Sequence, residues 1–302
     1  MGLQKHISNW ARLSRVPFHL VGIAPILVGT LWAGTKGFDI NWTLAILAII
    51  AVVLTMLSTY LGGEYYDQKE DYLSVKYGKS NFAGGSQVIQ EGLVEQNSVK
   101  LASIISAIFV IIIGLYIYFG FDTGPWTIPL GAFGLAAGFF YSTPPFRFVK
   151  RGVGEILIGL CYGYLPVFVA SYLQTNYLEY NLVWISKPIA ISIFMVIFIN
   201  EFPDYPGDQE TGKRNLVVRL GLFKSSIVYI ISQAFFIVSI VLLVQHLNYN
   251  ILWFLAPIII SLTTIFMTAF KLYQNKKALE VICGLTIVLN LATNLILIII
   301  LW

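Results

Sequence analysis

Apolar runs of about eighteen or more residues recur along this chain, the length an α-helix needs to cross the hydrocarbon core of a bilayer. Nine are expected, over residues 17–34, 42–63, 98–120, 125–144, 153–174, 184–203, 225–246, 251–271 and 279–301, with Gly and Pro interrupting the fourth and fifth. The fold class that follows is all-α, a polytopic membrane protein with about nine transmembrane helices forming one domain over 1–302. Composition agrees. Of 302 residues, 57% are hydrophobic and 11% charged, against about a quarter charged in soluble domains.

The placement of charge sets the orientation. All 19 Lys and Arg residues except Lys36 and Lys187 fall in alternate loops, from Lys5 and Arg12 through Lys69, Lys79, Arg147 and Lys213 to Lys277. Cytoplasmic loops carry such an excess, so the N-terminus is expected on the cytoplasmic side of a cell (inner) membrane and Trp302 outside. Trp126, Trp184, Trp253 and Trp302 lie near expected span ends, as an interfacial aromatic belt requires. The lipid bilayer is the expected partner and nucleic acid is not. Residues 1–16 read as an amphipathic interfacial lead-in rather than a cleaved signal, and Met1-Gly2 opens no myristoylation motif because His6 stands sixth. Cys161 and Cys283 fall inside expected spans without metal-ligand spacing and read as packing residues; His6 and His19 lack partners at ligand spacing, and His246 is expected on the opposite side of the membrane from Glu64 and Asp208.

Against this apolar background two acidic clusters stand out, each where a span meets a polar loop. The first holds Glu64, Asp67, Glu70 and Asp71; the second holds Asn200, Glu201, Asp204 and Asp208. Glu64, Asp67 and Asp71 share one face of a continuing helix by their i, i+3, i+7 spacing, and Asn200, Asp204 and Asp208 do so at i, i+4, i+8. Pro203 and Pro206 are expected to break or end the second helix there. Carboxylates this close repel unless a cation joins them. Oxygen ligands without His or Cys suit Mg²⁺, which binds through a few carboxylates plus phosphate. An acidic side chain at the centre of a membrane helix costs about 2.5–3.5 kcal/mol and less near the interface, so the five facially spaced carboxylates Glu64, Asp67, Asp71, Asp204 and Asp208 at two span ends call for a compensating partner. A Mg²⁺–diphosphate site at the membrane edge is the expectation.

Two loops flank the clusters. Residues 76–87 carry Gly84-Gly85-Ser86, which permits close backbone approach to an anion or substrate, although an ordinary flexible loop explains it as well. Residues 88–97 suggest a short surface helix. The loop 141–155 holds Arg147, Lys150 and Arg151 after two prolines; it reads equally as a topology determinant or as a rigid turn aiming cations at one point. The clusters are 137 residues apart, Asp67 to Asp204 and Asp71 to Asp208 alike. Four spans intervene, so both emerge on the same side. That suggests two parallel four-helix pseudo-repeats, about 17–144 and 153–271, plus one further helix. A transporter or lipid carrier binding Mg²⁺ or phosphate without chemistry is the rival from another class. It predicts midplane ionisable residues and inverted symmetry, whereas the charges here crowd one rim.

Over essentially its whole length the sequence resembles the UbiA-type intramembrane prenyltransferases. The family's first motif, Asn-Asp-x-x-Asp-x-x-x-Asp, stands here as Gly63-Glu64-x-x-Asp67-x-x-x-Asp71, so Gly63 supplies no side-chain ligand. The second, Asp-x-x-x-Asp followed by Gly-Lys-Arg, stands as Asp204-x-x-x-Asp208 with Gly212-Lys213-Arg214, and Tyr141-Ser-x-Pro-Pro with Arg151-Gly-x-Gly-Glu155 resembles the connecting loop. The resemblance implies Mg²⁺-dependent transfer of a polyprenyl group from a polyprenyl diphosphate to an aromatic acceptor. Asp67, Asp71, Asp204 and Asp208 are then the metal ligands, supported by Glu64 and Asn200. Arg147, Lys150 and Lys213 stabilise the leaving diphosphate, and Tyr141 shields the cation or positions the acceptor. Asn81–Ile89, with Asn200-Glu-Phe-Pro-Asp and Gly212–Gly221, looks most like the menaquinone branch, which prenylates 1,4-dihydroxy-2-naphthoate. Acceptors that stay open are 4-hydroxybenzoate, homogentisate and geranylgeranylglyceryl phosphate.

Overall fold

The structure, a computed structural model, describes residues 3–78 and 80–302. Met1-Gly2, with the myristoylation reading, and Lys79 lie outside the described residues. In lipid every backbone polar group must find its partner within the protein, and the described residues form helices without a strand. The amphipathic α1 (Leu3–Leu13) precedes a 3-10 turn, Val16–His19, and the apolar α2 (Leu20–Thr35). Then follow α3 (Trp42–Tyr66), α4 (Gln68–Gly78), α5 (Gln96–Phe121), α6 (Thr127–Ser142), α7 (Gly154–Gly159), a π-helical turn at Leu160–Tyr164, and α8 (Leu165–Thr175). The second half holds α9 (Leu182–Glu210), α10 (Leu216–Leu247), α11 (Leu255–Ala269) and α12 (Lys276–Leu301).

Eight of these stretches are long and apolar enough to cross a membrane, and the protein is a multi-pass membrane protein. The fourth expected span, 125–144, is instead the shorter α6 of 16 residues. Burial separates the spans. The apolar window of α9 is 67% buried, against 17% for α5, so α9 forms the centre of the bundle and α5 faces outward. Around α9, buried Leu182, Ile185, Ile189, Met195, Phe198 and Phe202 join one apolar core with residues of α2, α10 and α12.

Four local expectations are corrected. At Asp67 (φ −108°, ψ 19°) the first acidic helix is interrupted between α3 and α4, although the ladder continues through Asp67 N–H to Gly63 O (2.9 Å) and Asp71 N–H to Asp67 O (2.9 Å). Pro203 and Pro206 do not end α9, which runs on to Glu210. Residues 88–94 make turns rather than a helix. The span expected at 225–246 begins earlier, at Leu216, and bends at Gly221, whose φ of 75° and ψ of 156° leave the helical region.

Candidate active site

The span ends that carry the two acidic clusters meet because α4 packs on α9. Gly207 makes the approach possible: a Cβ there would lie 2.9 Å from the backbone nitrogen of Ser74. The Ser74 hydroxyl in turn donates to Asp204. Between the clusters lies a cavity of about 190 Å³ lined by Asp67, Asp71, Asn200, Glu201, Asp204 and Lys213, with Arg15, Tyr60, Tyr141 and Tyr162 among its other walls.

The structure brings together four of the six candidate metal residues, Asp67, Asp71, Asn200 and Asp204, on this pocket. The other two stand behind its wall. Glu64 is 1% exposed and is met by Arg15 (3.3 Å), the Ser86 N–H (2.9 Å) and the Ser86 hydroxyl (2.7 Å). Asp208, 2% exposed, accepts from Lys213 Nζ (3.0 Å) and Asn215 Nδ2 (2.8 Å). Of the expected cations and aromatics, Lys213 and Tyr141 line the cavity. Arg147 instead pairs with Asp67 at 2.6 Å and donates to the Tyr66 carbonyl at 2.9 Å, and Lys150 pairs with Glu70.

The Gly84-Gly85-Ser86 loop closes over the carboxylates. Gly84 N–H donates to Asp204 Oδ2 at 3.2 Å, and a Cβ on Gly85 would fall 2.2 Å from Asp71 Oδ2. Both glycines have positive φ, 82° and 62°, so their residue type follows from backbone and space together. The loop's close approach is thus to the protein's own acids. Arg12 holds it from outside, donating to the Ser86 carbonyl at 2.8 Å.

Electrostatics at the site run in two directions. Burial pushes the Asp71 carboxyl well above the usual range, and Glu64, Asp67 and Asp204 nearby add to the shift against the opposing Arg15. Burial disfavours the charged form of Lys213, but Asp208, Asp67, Glu201 and Asp204 outweigh it and hold the ammonium well above its ordinary value. Such a pocket favours a divalent cation. Among the described residues no three His, Cys, Asp or Glu side chains converge as a complete metal cage. Mg²⁺ keeps several waters and needs only one or two carboxylates plus phosphate, so the donor set fits. Asn200 Oδ1, buried without a partner among the described residues, marks a place for a missing ligand.

A second cavity, of about 570 Å³, lies among α2, α3, α5, α6 and α8, with Val52, Ile108, Leu130, Leu135 and Val169 among its almost wholly apolar walls. Tyr162 lines both cavities.

Two pocket residues were not singled out by spacing. Arg15 lies 49 residues before its partner Glu64 and carries no local signal. Glu201 had one: it follows Glu64 by 137 residues, the same offset that relates the aspartates.

The sequence profile of the UbiA prenyltransferase family matches residues 22–290. The 1,4-dihydroxy-2-naphthoate octaprenyltransferase of Bacillus subtilis is 25% identical over 210 residues, 70% of this chain and 65% of that protein. The Escherichia coli protein of the same name is 29% identical over 212 residues, 67% of this chain and 65% of its own length. The matched region therefore spans just under two thirds of these relatives. Among solved structures, a UbiA homologue from Aeropyrum pernix K1 superposes with a TM-score of 0.68 at 14% identity, covering 93% of this chain and 95% of that one. A UbiA homologue from Archaeoglobus fulgidus bound to DMAPP and Mg²⁺ gives 0.60 at 16% identity, covering 94% and 98%.

Proposed function

Because the chain belongs to the UbiA prenyltransferase family, we propose that it transfers a polyprenyl group from a polyprenyl diphosphate to an aromatic acceptor, with 1,4-dihydroxy-2-naphthoate of menaquinone biosynthesis as that acceptor. The observation that carries this is the convergence of Asp67 and Asp71 with Asn200 and Asp204 on one pocket holding Lys213 and Arg15, next to a large apolar cavity. The relatives named for that acceptor, from two bacteria, favour the naphthoate.

Asp67, Asp71, Asn200 and Asp204 would hold Mg²⁺, which would supply Lewis-acid neutralisation of diphosphate charge. Lys213 and Arg15 reach the same pocket and bind the outer oxygens of the diphosphate. Arg147 and Lys150 act one step back, fixing Asp67 and Glu70. Glu64 and Asp208 hold the Ser86 loop and Lys213 in place. The prenyl tail lies in the apolar cavity, with Tyr162 at the junction, and the allylic cation forms against Phe18, Val21, Ile193 and Val196, which keep water away from it. Tyr141 stands at the acceptor's side of the pocket. The active site lies at the cytoplasmic face of the cell (inner) membrane, where the basic loops gather.

The experiment is product analysis by mass, using purified protein in detergent with Mg²⁺ and a labelled polyprenyl diphosphate. Dihydroxynaphthoate, 4-hydroxybenzoate, homogentisate and geranylgeranylglyceryl phosphate are offered separately. Product with dihydroxynaphthoate alone is expected. Product with another acceptor keeps the chemistry and replaces the acceptor. Mg²⁺-dependent binding without product or diphosphate release from any mixture would replace the transferase by a carrier.

A further inference from the structure

Three stretches of chain pass from the catalytic pocket to the apolar cavity. On α3, Thr59 lines the pocket while Thr55 and Met56 line the cavity; on α6, Tyr141 and Gly138 divide in the same way. Between α7 and α8 a single residue, Tyr162, serves both sides. At this level α3 and α6 touch: a Cβ on Gly138 would lie 2.7 Å from Thr59 Oγ1 and 3.1 Å from Thr55 Cγ2. One side of the passage is therefore closed by helix packing, and the other by one aromatic ring.

The local sequence fixes the backbone beneath that ring. Pro166 has no N–H to give the Tyr162 carbonyl four residues earlier. The chain answers with the π-helical turn Leu160–Tyr164, closed by Leu165 N–H to Leu160 O, a kind of turn that gathers at functional sites. Gly159 and Gly163 press it against α9: a Cβ on Gly163 would fall 2.3 Å from Ala190 Cα, and one on Gly159 would fall 3.3 Å from the Ala190 carbonyl oxygen. With the main chain held, widening the passage falls to the Tyr162 side chain. Its ring, 7% exposed, joins a buried apolar cluster with Val21, Met56, Ile193 and Val196. Its hydroxyl is hydrogen-bonded to the Thr59 side chain on the far side of the passage. Thr59 donates its own proton to the Thr55 carbonyl at 2.9 Å, which leaves its oxygen to accept from Tyr162.

A prenyl chain that starts at the carboxylates and runs into the apolar cavity has to pass this ring. We propose that Tyr162 is the gate between the two cavities, latched by Thr59, and that it makes donor binding depend on the tail. A short allylic diphosphate sits on the pocket side of the closed ring, whereas a longer chain displaces it. An isoprenoid has no polar atom to offer the freed hydroxyls, so the latch bond is lost without replacement when such a tail enters. A latched gate accordingly lowers the apparent affinity for long-tailed donors by the fraction of molecules that stand open. This rests on the prenyl diphosphate being the ligand of the site.

The test measures equilibrium binding to the full-length protein in detergent, with Mg²⁺ and without acceptor, so that nothing is transferred. The probes are inorganic pyrophosphate, dimethylallyl diphosphate and farnesyl diphosphate. Tyr162→Phe keeps the ring and Thr59→Val keeps the branched shape, and each removes the latch; either suffices if the other does not fold. Both are expected to bind farnesyl diphosphate about three- to tenfold more tightly than wild type, the scale of one neutral hydrogen bond. Affinity for the two shorter probes is expected to stay within about twofold. A gain confined to the long tail is a change that loosened packing does not produce. Unchanged or weaker binding of farnesyl diphosphate overturns the gate, and so does an equal shift for all three probes. If no acceptor yields prenylated product while farnesyl diphosphate alone binds the variants more tightly, the transferase function falls and the gate stands. Product formation with unchanged farnesyl diphosphate affinity in the variants would do the reverse.

Discussion

Asp71 sits partly buried among Glu64, Asp67 and Asp204, and that surrounding makes it hold its proton more tightly in the folded protein than in the unfolded chain. The sign follows from linkage: a raised carboxyl contributes stability that is fully present below about pH 4, the unfolded value, and lost as pH rises through the folded value. Metal-free protein should therefore lose thermal stability on the alkaline side of that window, and Asp71→Asn, which cannot ionise, should lose less. Mg²⁺ with pyrophosphate reverses the preference and should raise Tm more at about pH 8 than at about pH 5. Thermal unfolding across pH checks this; parallel wild-type and Asp71→Asn profiles would count against it. In turnover, Asp204→Ala should cost at least about a hundredfold, the scale of losing a group that stabilises transition-state charge. The aspartates were legible because their spacing is local and repeats 137 residues later, and Asn200 because it stands at i+4 spacing before Asp204. The same offset relates Glu64 to Glu201, but Glu201 stands outside the i+4 register that groups Asn200, Asp204 and Asp208. Arg15 was not legible as a site residue, because its contact with Glu64 forms only when distant segments fold together; the Ser86 loop was legible as a close-approach loop, but not that it approaches the protein's own Glu64.

At the scale of elements, α9 shows why local rules located the spans yet misjudged one helix end. A proline removes one N–H and leaves the carbonyl four residues earlier without its donor. For Pro203 that carbonyl belongs to Ile199, and the Cys283 thiol of α12 points at it from 3.7 Å. A neighbouring helix thus satisfies part of what the proline breaks, as membrane helices permit, and α9 carries Asp204 and Asp208 on a continuous face. Cys283 is consequently more than a filler. The contact of α4 with α9 is a second such dependence. Gly207→Val would press its side chain against the Ser74 backbone, at a cost of about 1–3 kcal/mol for overpacking, and would part Ser74 from Asp204. Expected is a lower Tm together with a fall of at least about tenfold in kcat/KM, within the range that small misplacements of catalytic groups produce. A variant with the lower Tm and wild-type kcat/KM would show that the α4–α9 contact does not position the site.

For the molecule as a whole, what composition made plain was a bundle of apolar helices; what it left hidden was the space between them. Ile108, Leu130 and Leu135 line a cavity yet are indistinguishable in sequence from residues facing lipid. The cavity runs along α6 away from the catalytic pocket. Tyr141 lines the pocket at one end of this helix, and Gly131 lines the apolar cavity ten positions earlier, about 15 Å at the helical rise. A Cβ on Gly131 would meet nothing within 4 Å. Gly131→Phe should therefore fill the far end of the cavity without pushing on its neighbours and leave the diphosphate site intact. If the tail extends along this cavity, the variant should discriminate by tail length. Geranyl diphosphate should react within about twofold of wild type, since its ten carbons end short of the added ring. An octaprenyl donor should lose at least about tenfold in kcat/KM, because its displaced isoprene units would forfeit burial worth about 0.8 kcal/mol per CH₂. Competition between the two donors in one reaction measures the ratio directly. An unchanged ratio would mean that the tail leaves the pocket by another route, between other helices, and that this cavity serves a different apolar occupant.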